Sequence, residues 1–241
     1  MREFTGKTAL VTGGSKGIGR AIVQDLMEAG FHVSMAARTS EDLDRAKDEL
    51  SRISGGEIMA VVADVRDSSA CQTLVEKTVE RFGGLDLLVN NAGVGRFAPI
   101  HEMSDEDWEV LIETNLNGVF YLSREAVPYL KKSDGAWIIN IGSLAGRNTF
   151  AGGAAYNASK FGLLGMSEAM MLDLRYEGIR VSLIMPGSVD TGFGNRSSGE
   201  KEGWALTPKD VSRALLDLLR YPGNALPSRV ELRPSQPPRK D

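Results

Sequence analysis

Thr12-Gly13-Gly14-Ser15-Lys16-Gly17-Ile18-Gly19 is the stretch that decides the fold of this chain. It directly follows a strand-like run, Thr8–Thr12, and directly opens a helical pattern, Ile18–Glu28. Glycines in the spacing Gly-x-x-x-Gly-x-Gly let the backbone turn tightly and let a ligand approach it. The helix that begins here presents free N–H groups and a partial positive charge, which favour a pyrophosphate. The stretch therefore predicts a strand–turn–helix unit that binds a dinucleotide.

Outward from this turn, strand-like and helical patterns alternate along the chain. The strand-like runs are Thr8–Thr12, His32–Ala37, Ile58–Val62, Leu85–Asn90, Trp137–Ile141, Val181–Met185 and, more weakly, Arg229–Leu232. The helical patterns are Ile18–Glu28, Glu41–Ile53, Ser69–Phe82, Trp108–Leu130, Ala158–Tyr176 and Val211–Leu219. This alternation predicts right-handed βαβ units. We expect an α/β fold in a single domain over residues 1–241: a doubly wound parallel sheet of the Rossmann type, with about seven strands and helices on both faces.

Composition excludes several classes of protein. The 241 residues carry a formal net charge of −4 and no block of Lys or Arg, so we expect no nucleic-acid partner. No stretch approaches the roughly 18 apolar residues of a membrane span, and the N-terminus lacks a signal-peptide pattern, so we expect no membrane partner and a cytoplasmic location. Cys71 is the single cysteine and is predicted to be buried in a helix. The two histidines are far apart in sequence, so we expect no metal site.

The end of the second strand indicates which dinucleotide binds. An acidic residue about 20 residues past the glycines would bind the ribose 2′-hydroxyl of NAD. Ala36-Ala37-Arg38-Thr39 stands there instead, and a guanidinium pairs well with a 2′-phosphate. Arg38 and the missing acid therefore predict NADP (NADPH). Lys16 could add a second positive charge, although taken alone it is better read as a surface cation.

Polar residues follow two further strands. Asp64 ends the third strand, where its carboxylate is placed to accept a hydrogen bond from the adenine amino group. Asn90-Asn91-Ala92-Gly93 ends the fourth strand, and a polar tetrapeptide after an apolar run is typical of a ligand rim. For Asn90, a role in bracing the strand is a rival interpretation.

Tyr156 and Lys160 stand four residues apart at the start of a helical pattern, and Ser143 follows the fifth strand. Side chains at i and i+4 share a helix face, so the ammonium is expected to lie beside the phenol. A nearby cation stabilises phenolate, which is expected to bring the pKa of Tyr156 closer to the range of an acid/base catalyst. Taken alone, the spacing Tyr-x-x-x-Lys often occurs by chance.

In combination, these pieces resemble the short-chain dehydrogenase/reductase family over nearly the whole chain. The matching pieces, in order, are Thr12 to Gly19, Asp64, Asn90-Asn91-Ala92-Gly93, Asn115, Ser143, Tyr156-Asn157-Ala158-Ser159-Lys160, and Pro186-Gly187 with Thr191. Each piece is weak, but their order and spacing make the combination specific. The resemblance implies an enzyme that moves a hydride between NADP and a small ketone, aldehyde or secondary alcohol.

The resemblance implies a role for each match. Tyr156 would be the acid/base, Ser143 would hydrogen-bond the carbonyl oxygen, and Lys160 would tune Tyr156 and bind the nicotinamide ribose. Asn115 would hold a water that relays protons. Cofactor contacts are expected, besides Tyr156 and Lys160, from Gly13, Ser15, Lys16, Gly17, Ile18, Gly19, Arg38, Asp64, Val65, Asn91, Ala92, Gly93, Pro186, Gly187, Val189 and Thr191.

The C-terminal half predicts the substrate loop and the assembly. We expect a mobile substrate loop at about 187–206 and a frayed tail at about 233–241. Pocket walls are expected in Gly93–Ile100, Leu144–Gly153 and that loop. Apolar side chains there suggest an apolar or aromatic substituent on the substrate, and a role in anchoring the loops is the rival interpretation. A homodimer or homotetramer is expected, and the helices carrying Asn115 and Tyr156 are the more reliable interface, because the chain lacks the glycine-rich final strand of many relatives. Burial of the later helix within one subunit is the rival interpretation.

The sequence has three rival functional interpretations. A serine hydrolase using Ser143 fails, because flanking glycines are absent and no histidine follows His101. A reductase of 3-oxoacyl chains on a carrier protein would need a basic patch for the acidic carrier, for which Arg96 and Arg147 are candidates. A protein that binds NADP without turnover also remains open.

Overall fold

One parallel sheet organises the molecule. The structure, a computed structural model, describes residues 3–53, 55–194, 199 and 203–238. Within them the strands are β1 (Thr8–Thr12), β2 (His32–Ala37), β3 (Ile58–Val62), β4 (Leu87–Asn90), β5 (Ala136–Ile141), β6 (Ile179–Pro186) and β7 (Arg229–Leu232). They form a 7-stranded sheet in the order β3-β2-β1-β4-β5-β6-β7, and every neighbouring pair is parallel. The predicted doubly wound α/β fold is confirmed.

Helices cover both faces of this sheet. They are α1 (Gly17–Ala29), α2 (Ser40–Leu50), α3 (Ser68–Phe82), α4 (Asp105–Ile112), α5 (Gly118–Leu130), α6 (Ala154–Leu174) and α7 (Pro208–Leu219). One hydrophobic core joins α1, α2 and α7 to the sheet. A second core joins α3 and α5 to the opposite face, with apolar residues of α6 packed against it. Alternation within β1 serves both cores, since Ala9 and Val11 enter the first and Leu10 enters the second.

The strand order places the site. The chain leaves β1 toward β2 and β3 on one side, and β4 to β7 lie on the other. In such sheets, ligands bind at the carboxyl ends of the strands where the winding reverses. The predicted site residues follow the carboxyl ends of β1 to β6, so they converge on this edge.

Two predicted helices differ most from those observed, and the bounds of the others differ by one to three residues. The single helix predicted at Trp108–Leu130 is α4 and α5 joined by a π-helical turn, Glu113–Asn117. A π turn adds one residue without changing the apolar spacing much, so periodicity does not reveal it. The helix predicted to begin at Ala158 begins one turn earlier at Ala154, because its N-cap, Gly153, has no side chain that would signal a start.

The remaining parts of the chain were predicted only in part. Cys71 is buried as predicted, and burial raises the pKa of its thiol to about 12. No helix in the described ranges is long and apolar enough to cross a membrane, and no group of metal-ligating side chains gathers there. The predicted mobile loop falls partly, at 195–198 and 200–202, outside the described residues, as does the end of the predicted frayed tail at 239–241. Mobility and fraying stay predictions.

Candidate active site

Tyr156 lies in the first turn of α6, with 8% of its surface exposed. Its side chain shares a hydrogen bond with that of Ser143, which follows β5 and caps a short 3-10 turn by accepting from the backbone N–H of Ala145 at 3.1 Å. Burial raises the pKa of the Tyr156 phenol, and the Ser143 hydrogen bond offsets only part of that rise. Tyr156 is therefore a protonated phenol at neutral pH, poised as an acid with Ser143 beside it.

Lys160 lies one turn further along the same face of α6. Its ammonium is buried, donates to the carbonyl oxygen of Ile141 at 3.2 Å, and lies 5.9 Å from the centre of the Tyr156 ring. Burial lowers the pKa of Lys160 to about 8. The expectation that Lys160 brings the pKa of Tyr156 down is not met in this structure, because desolvation of the phenol outweighs every other influence on it.

Asn115 sits in the π-helical turn with its side-chain amide fully engaged. Oδ1 accepts from the backbone N–H of Val94 at 2.9 Å, while Nδ2 donates to the Val94 carbonyl at 3.0 Å and to Ser159 Oγ at 3.1 Å. Ser159 in turn donates to the carbonyl of Tyr156 at 2.8 Å. Asn115 thus ties the segment after β4 to the helix that carries Tyr156. Because these bonds occupy the side-chain amide, a water bound to Asn115 would have to hydrogen-bond its backbone carbonyl or share one of its amide protons.

The glycine-rich turn is held in shape by backbone proximity and by two side chains. A Cβ on Gly19 would lie 2.1 Å from the carbonyl oxygen of Gly13, so only glycine fits there. Thr12 Oγ1 accepts from the backbone N–H groups of Asn91 and Ala92, each at 3.1 Å. Asn91 Nδ2 donates to the carbonyls of Thr12 and Gly13 at 2.9 and 3.2 Å. Asn91 therefore acts here as a brace of the turn.

Asn90 also braces the sheet, as its rival interpretation predicts. Its Nδ2 donates to Asn140 Oδ1 at 2.9 Å and to Ser123 Oγ at 3.2 Å, and Asn140 Nδ2 donates to Ser167 Oγ at 2.9 Å. This buried polar chain links α5 and α6 through β4 and β5.

A dinucleotide fits this edge of the sheet. α1 receives no side-chain cap from any described residue, and its first turn has no acidic residue, so its amide groups are available to a pyrophosphate. Gly17, with φ of 55°, and the buried Ser15 stand in the turn itself, with Ile18 in the first turn of α1. Gly93 lies against the catalytic set, where a Cβ would crowd Asn115 Oδ1 at 3.2 Å and lie 3.9 Å from Lys160 Nζ.

Of the two cations at the adenosine end, one is paired with a carboxylate and the other is not. Arg38 is exposed at the end of β2 and makes no hydrogen bond or ion pair with any residue in the described ranges. Lys16 instead pairs with Asp42 at 3.0 Å, and that contact, above all, lowers the pKa of the Asp42 carboxyl. Arg38 is therefore the cation free to meet a phosphate, and Lys16 would have to leave Asp42 first.

Asp64 is held by a neighbour that the sequence reasoning missed. Burial opposes its ionisation, but hydrogen bonds from Arg66, the shortest at 2.7 Å, outweigh burial and leave the pKa of Asp64 below its ordinary value. Both carboxylate oxygens accept from Arg66. An adenine amino group would share that carboxylate. Val65 packs inward, where a Cβ on Gly118 would meet it at 2.8 Å.

The segment after β6 reaches back to the glycine-rich turn. Pro186 ends β6, and Gly187 donates its N–H to the carbonyl of Leu232 at 2.8 Å. Val189 forms a parallel bridge with Leu206, which joins the two ends of the predicted substrate loop. Thr191 lies across from the turn, and a Cβ on Gly17 would be 3.5 Å from its methyl group. The predicted nicotinamide residues therefore lie opposite the predicted pyrophosphate residues.

Two phenylalanines, Phe97 and Phe193, flank Tyr156, and a third, Phe150, packs against Phe97; we call these three the aromatic collar. The Tyr156 ring lies 5.4 Å from Phe97 and 5.9 Å from Phe193, and Phe97 lies 5.8 Å from Phe150, all between ring centres. Phe150 also lines a shallow depression of about 590 Å³ whose wall contains none of Ser143, Tyr156 or Lys160. The collar makes the surface around Tyr156 apolar.

The sequence did not predict that Thr12 braces the glycine-rich turn or that Ser159 links Asn115 to Tyr156. It also did not predict the partners of the two arginines proposed as a carrier patch. Arg96 pairs with Asp107 at 3.2 Å, and Arg147 pairs with Glu231. The polar residues inside Tyr156-Asn157-Ala158-Ser159-Lys160 were a usable signal for Ser159. No sequence signal exists for pairs such as Arg147 with Glu231, which lie 84 positions apart.

Comparison with known proteins agrees with this arrangement. The family model described as short chain dehydrogenase matches residues 7–202. The chain belongs to the short-chain dehydrogenase/reductase family. It is an oxidoreductase that acts on CH–OH and C=O groups, as the resemblance implied.

Among similar members of this family, 3beta-hydroxysteroid dehydrogenase 2 of Eggerthella lenta is 40% identical over 226 residues, covering 88% of this chain and 86% of the relative. The 3-oxoacyl-[acyl-carrier-protein] reductase of Escherichia coli is 36% identical over 211 residues, covering 88% and 85%. The structure of an alcohol dehydrogenase from the archaeon Thermococcus sibiricus, complexed with 5-hydroxy-NADP, has a TM-score of 0.90 and 30% identity and covers 97% of this chain and 99% of that one.

Proposed function

We propose that this chain is an NADP-dependent carbonyl reductase, also competent as an alcohol dehydrogenase, for small or medium ketones, aldehydes and secondary alcohols. One observation carries the proposal: the hydrogen-bonded pair of Ser143 and Tyr156, with Lys160 on the ring of Tyr156, lies beside a turn built for a dinucleotide. A protein that only binds NADP would have no need to bury a lysine beside a protonated phenol.

Each side chain has a task that its environment supports. The bound NADPH supplies the hydride. Tyr156 gives its proton to the carbonyl oxygen as charge develops there, and Ser143 donates a hydrogen bond to the same oxygen. Lys160 then stabilises the phenolate across the ring face and offers its ammonium to the nicotinamide ribose. Asn115 keeps the segment after β4 in place and relays protons through a water.

NADP rather than NAD is proposed on the free guanidinium of Arg38. Ala37, where NAD-binding chains carry an acid, leaves the ribose 2′ position open to a phosphate. The relative solved with 5-hydroxy-NADP supports the same choice.

The test is NADPH consumption at 340 nm with a panel of aryl ketones, diketones, 3-oxo esters, aldehydes and sugars. We expect turnover of several uncharged ketones or aldehydes, and at least a hundredfold loss in Tyr156→Phe with NADPH binding retained. Tyr129→Phe, at a partly buried position of α5 away from the catalytic residues, is the matched control. Tight NADPH binding with no turnover of any carbonyl would favour the non-catalytic alternative.

The carrier-bound 3-oxoacyl reductase is the second candidate, since relatives of that name are 34–36% identical. The two arginines that would form its carrier patch are each paired with a carboxylate. Paired arginines attract an acidic carrier less than free ones, so the small-molecule activity is favoured. Turnover of a 3-oxoacyl carrier substrate far above every free ketone would reverse that choice.

We also propose a homodimer or homotetramer in the cytoplasm, with α5 and α6 at the interface. Phe120 of α5 and Phe161 and Leu172 of α6 are large apolar side chains left more than two-fifths exposed. Light scattering coupled to gel filtration should give a mass of two or four chains. A monomer would contradict the proposal.

A further inference from the structure

Exposed rings flank Tyr156, and a segment with an excess of negative charge lies next to the catalytic helix. The aromatic collar supplies the rings. We call the carboxylates within α4 and just before it the acidic rim: Glu102, Asp105, Glu106, Asp107 and Glu109. Together these two features constrain the substrates that can reach Tyr156.

The collar has apolar surface left to cover. Phe97, Phe150 and Phe193 are 44%, 47% and 39% exposed, although each packs a ring against Tyr156 or against another member of the collar. Backbone at Gly95 lies directly under two of these rings: a Cβ there would be 2.6 Å from Phe193 and 3.1 Å from Phe97. Rings that flank the catalytic phenol and stay half uncovered fit a flat apolar group held next to the reacting carbonyl.

The acidic rim lies on or next to a helix that adjoins the catalytic helix, and Asp107 is its member tied to the collar segment. Leu111 of α4 packs in one cluster with Ala155 and Tyr156, so α4 adjoins the start of the catalytic helix. Arg96, next to Phe97 in sequence, is paired with Asp107 at 3.2 Å. Residues 96–113 hold six carboxylates and this one arginine. The one arginine of this segment is therefore paired, and the segment carries a net negative charge.

We propose that the site selects uncharged carbonyl compounds with a flat apolar substituent beside the carbonyl, gripped by Phe97 and Phe193, and that the acidic rim excludes anionic substrates. The selection rests on the proposed carbonyl reductase function. An anion entering past the rim meets like charge, which suppresses its association, whereas a neutral ring gains the contacts of the collar. The repulsion acts between exposed groups, so salt must weaken it.

Charge selection is tested with acetophenone and 4-acetylbenzoate, which share the reacting ketone and differ by one distant carboxylate. With NADPH at low ionic strength, kcat/KM for acetophenone should exceed that for 4-acetylbenzoate by about tenfold or more, and 1 M salt should narrow the gap. Asp107→Asn frees Arg96 and should raise kcat/KM for 4-acetylbenzoate several-fold without changing that for acetophenone. Glu109→Gln, the matched control, removes the same charge without freeing an arginine and should have a smaller effect.

Ring selection is tested with acetophenone and cyclohexyl methyl ketone, which are similar in size but differ in flatness. Phe193→Leu and Phe97→Leu should each lower the preference for acetophenone about two- to tenfold. Phe82→Leu, whose ring stacks on His32 at the far end of α3, should leave that preference unchanged.

The outcomes separate the two proposals. Equal kcat/KM for the neutral and anionic ketones at every salt concentration, or a ring preference that neither collar variant alters, would overturn the selection while leaving the reductase in place. No turnover of any ketone with NADPH would overturn the reductase itself and the selection with it.

Discussion

Gly19→Ala should open the glycine-rich turn and weaken NADPH binding. A Cβ at this position would lie 2.1 Å from the carbonyl oxygen of Gly13 and 2.5 Å from Asn91 Nδ2, both well inside van der Waals contact. Gly13 is backbone and Asn91 is the brace of the turn, so neither can move without displacing the amide groups meant for the pyrophosphate. Overpacking of this kind costs about 1–3 kcal/mol, and each kcal/mol lowers the Tm of a chain this long by roughly 2–4 °C.

Gly83→Ala, at the C-cap of α3 and away from the turn, is the matched control. Its φ of 84° strains an alanine, at about 1–2 kcal/mol, but the added Cβ would meet no described atom within 4 Å. Both variants should lose Tm by circular dichroism, while titration of NADPH fluorescence should show a Kd at least about tenfold weaker only for Gly19→Ala. Unchanged NADPH affinity in Gly19→Ala would refute this view of the turn.

Three further predictions concern the cofactor and the catalytic helix. Ala37→Asp with Arg38→Ala should weaken NADPH about ten- to hundredfold and shift preference toward NADH; equal kcat/KM for both cofactors in the unmutated enzyme would contradict this. The pKa of Lys160 is about 8 in the folded chain, against an ordinary value of 10.5. Between pH 8 and 10.5 the folded chain therefore binds fewer protons at Lys160 than the unfolded chain does, so the contribution of Lys160 makes the free energy of unfolding rise with pH in that window. Urea unfolding should show that rise flattened in Lys160→Met. Ser159→Ala should cut kcat, because it releases Asn115 from the Tyr156 carbonyl, and should also lower Tm, because a buried N–H of Asn115 loses its partner. A kcat that stays at the wild-type value would argue against that link.

The fold followed from periodicity because every strand is short, apolar and bounded by turn residues. β1, β2, β3 and β7 have the predicted bounds. β6 runs two residues further at its start than predicted and one at its end, since pairing with β5 and β7 on both sides extends it beyond its most apolar stretch. The π turn at Glu113–Asn117 escaped prediction, although it positions Asn115.

The sequence predicted which residues form the site, but not how buried they are or which partners they pair with. The sequence places Tyr156 and Lys160 on one helix face, yet burial by the collar, which sets the direction of the Tyr156 pKa, depends on two distant loops. Likewise, Lys16 reads as a phosphate ligand or a surface cation until Asp42, 26 positions away, is found beside it. Arg38 is the opposite case, because the sequence indicates a phosphate ligand and the structure leaves it exposed.

Tyr156 as the proton donor is the central claim, and single-turnover reduction tests it most directly. Enzyme saturated with NADPH is mixed with a ketone that the unmutated enzyme reduces, and the hydride-transfer step is followed by the loss of nicotinamide absorbance. The account predicts that Tyr156→Phe slows this step at least about a hundredfold while NADPH binds with nearly unchanged affinity. A Tyr156→Phe enzyme that transfers hydride at close to the unmutated rate would contradict it.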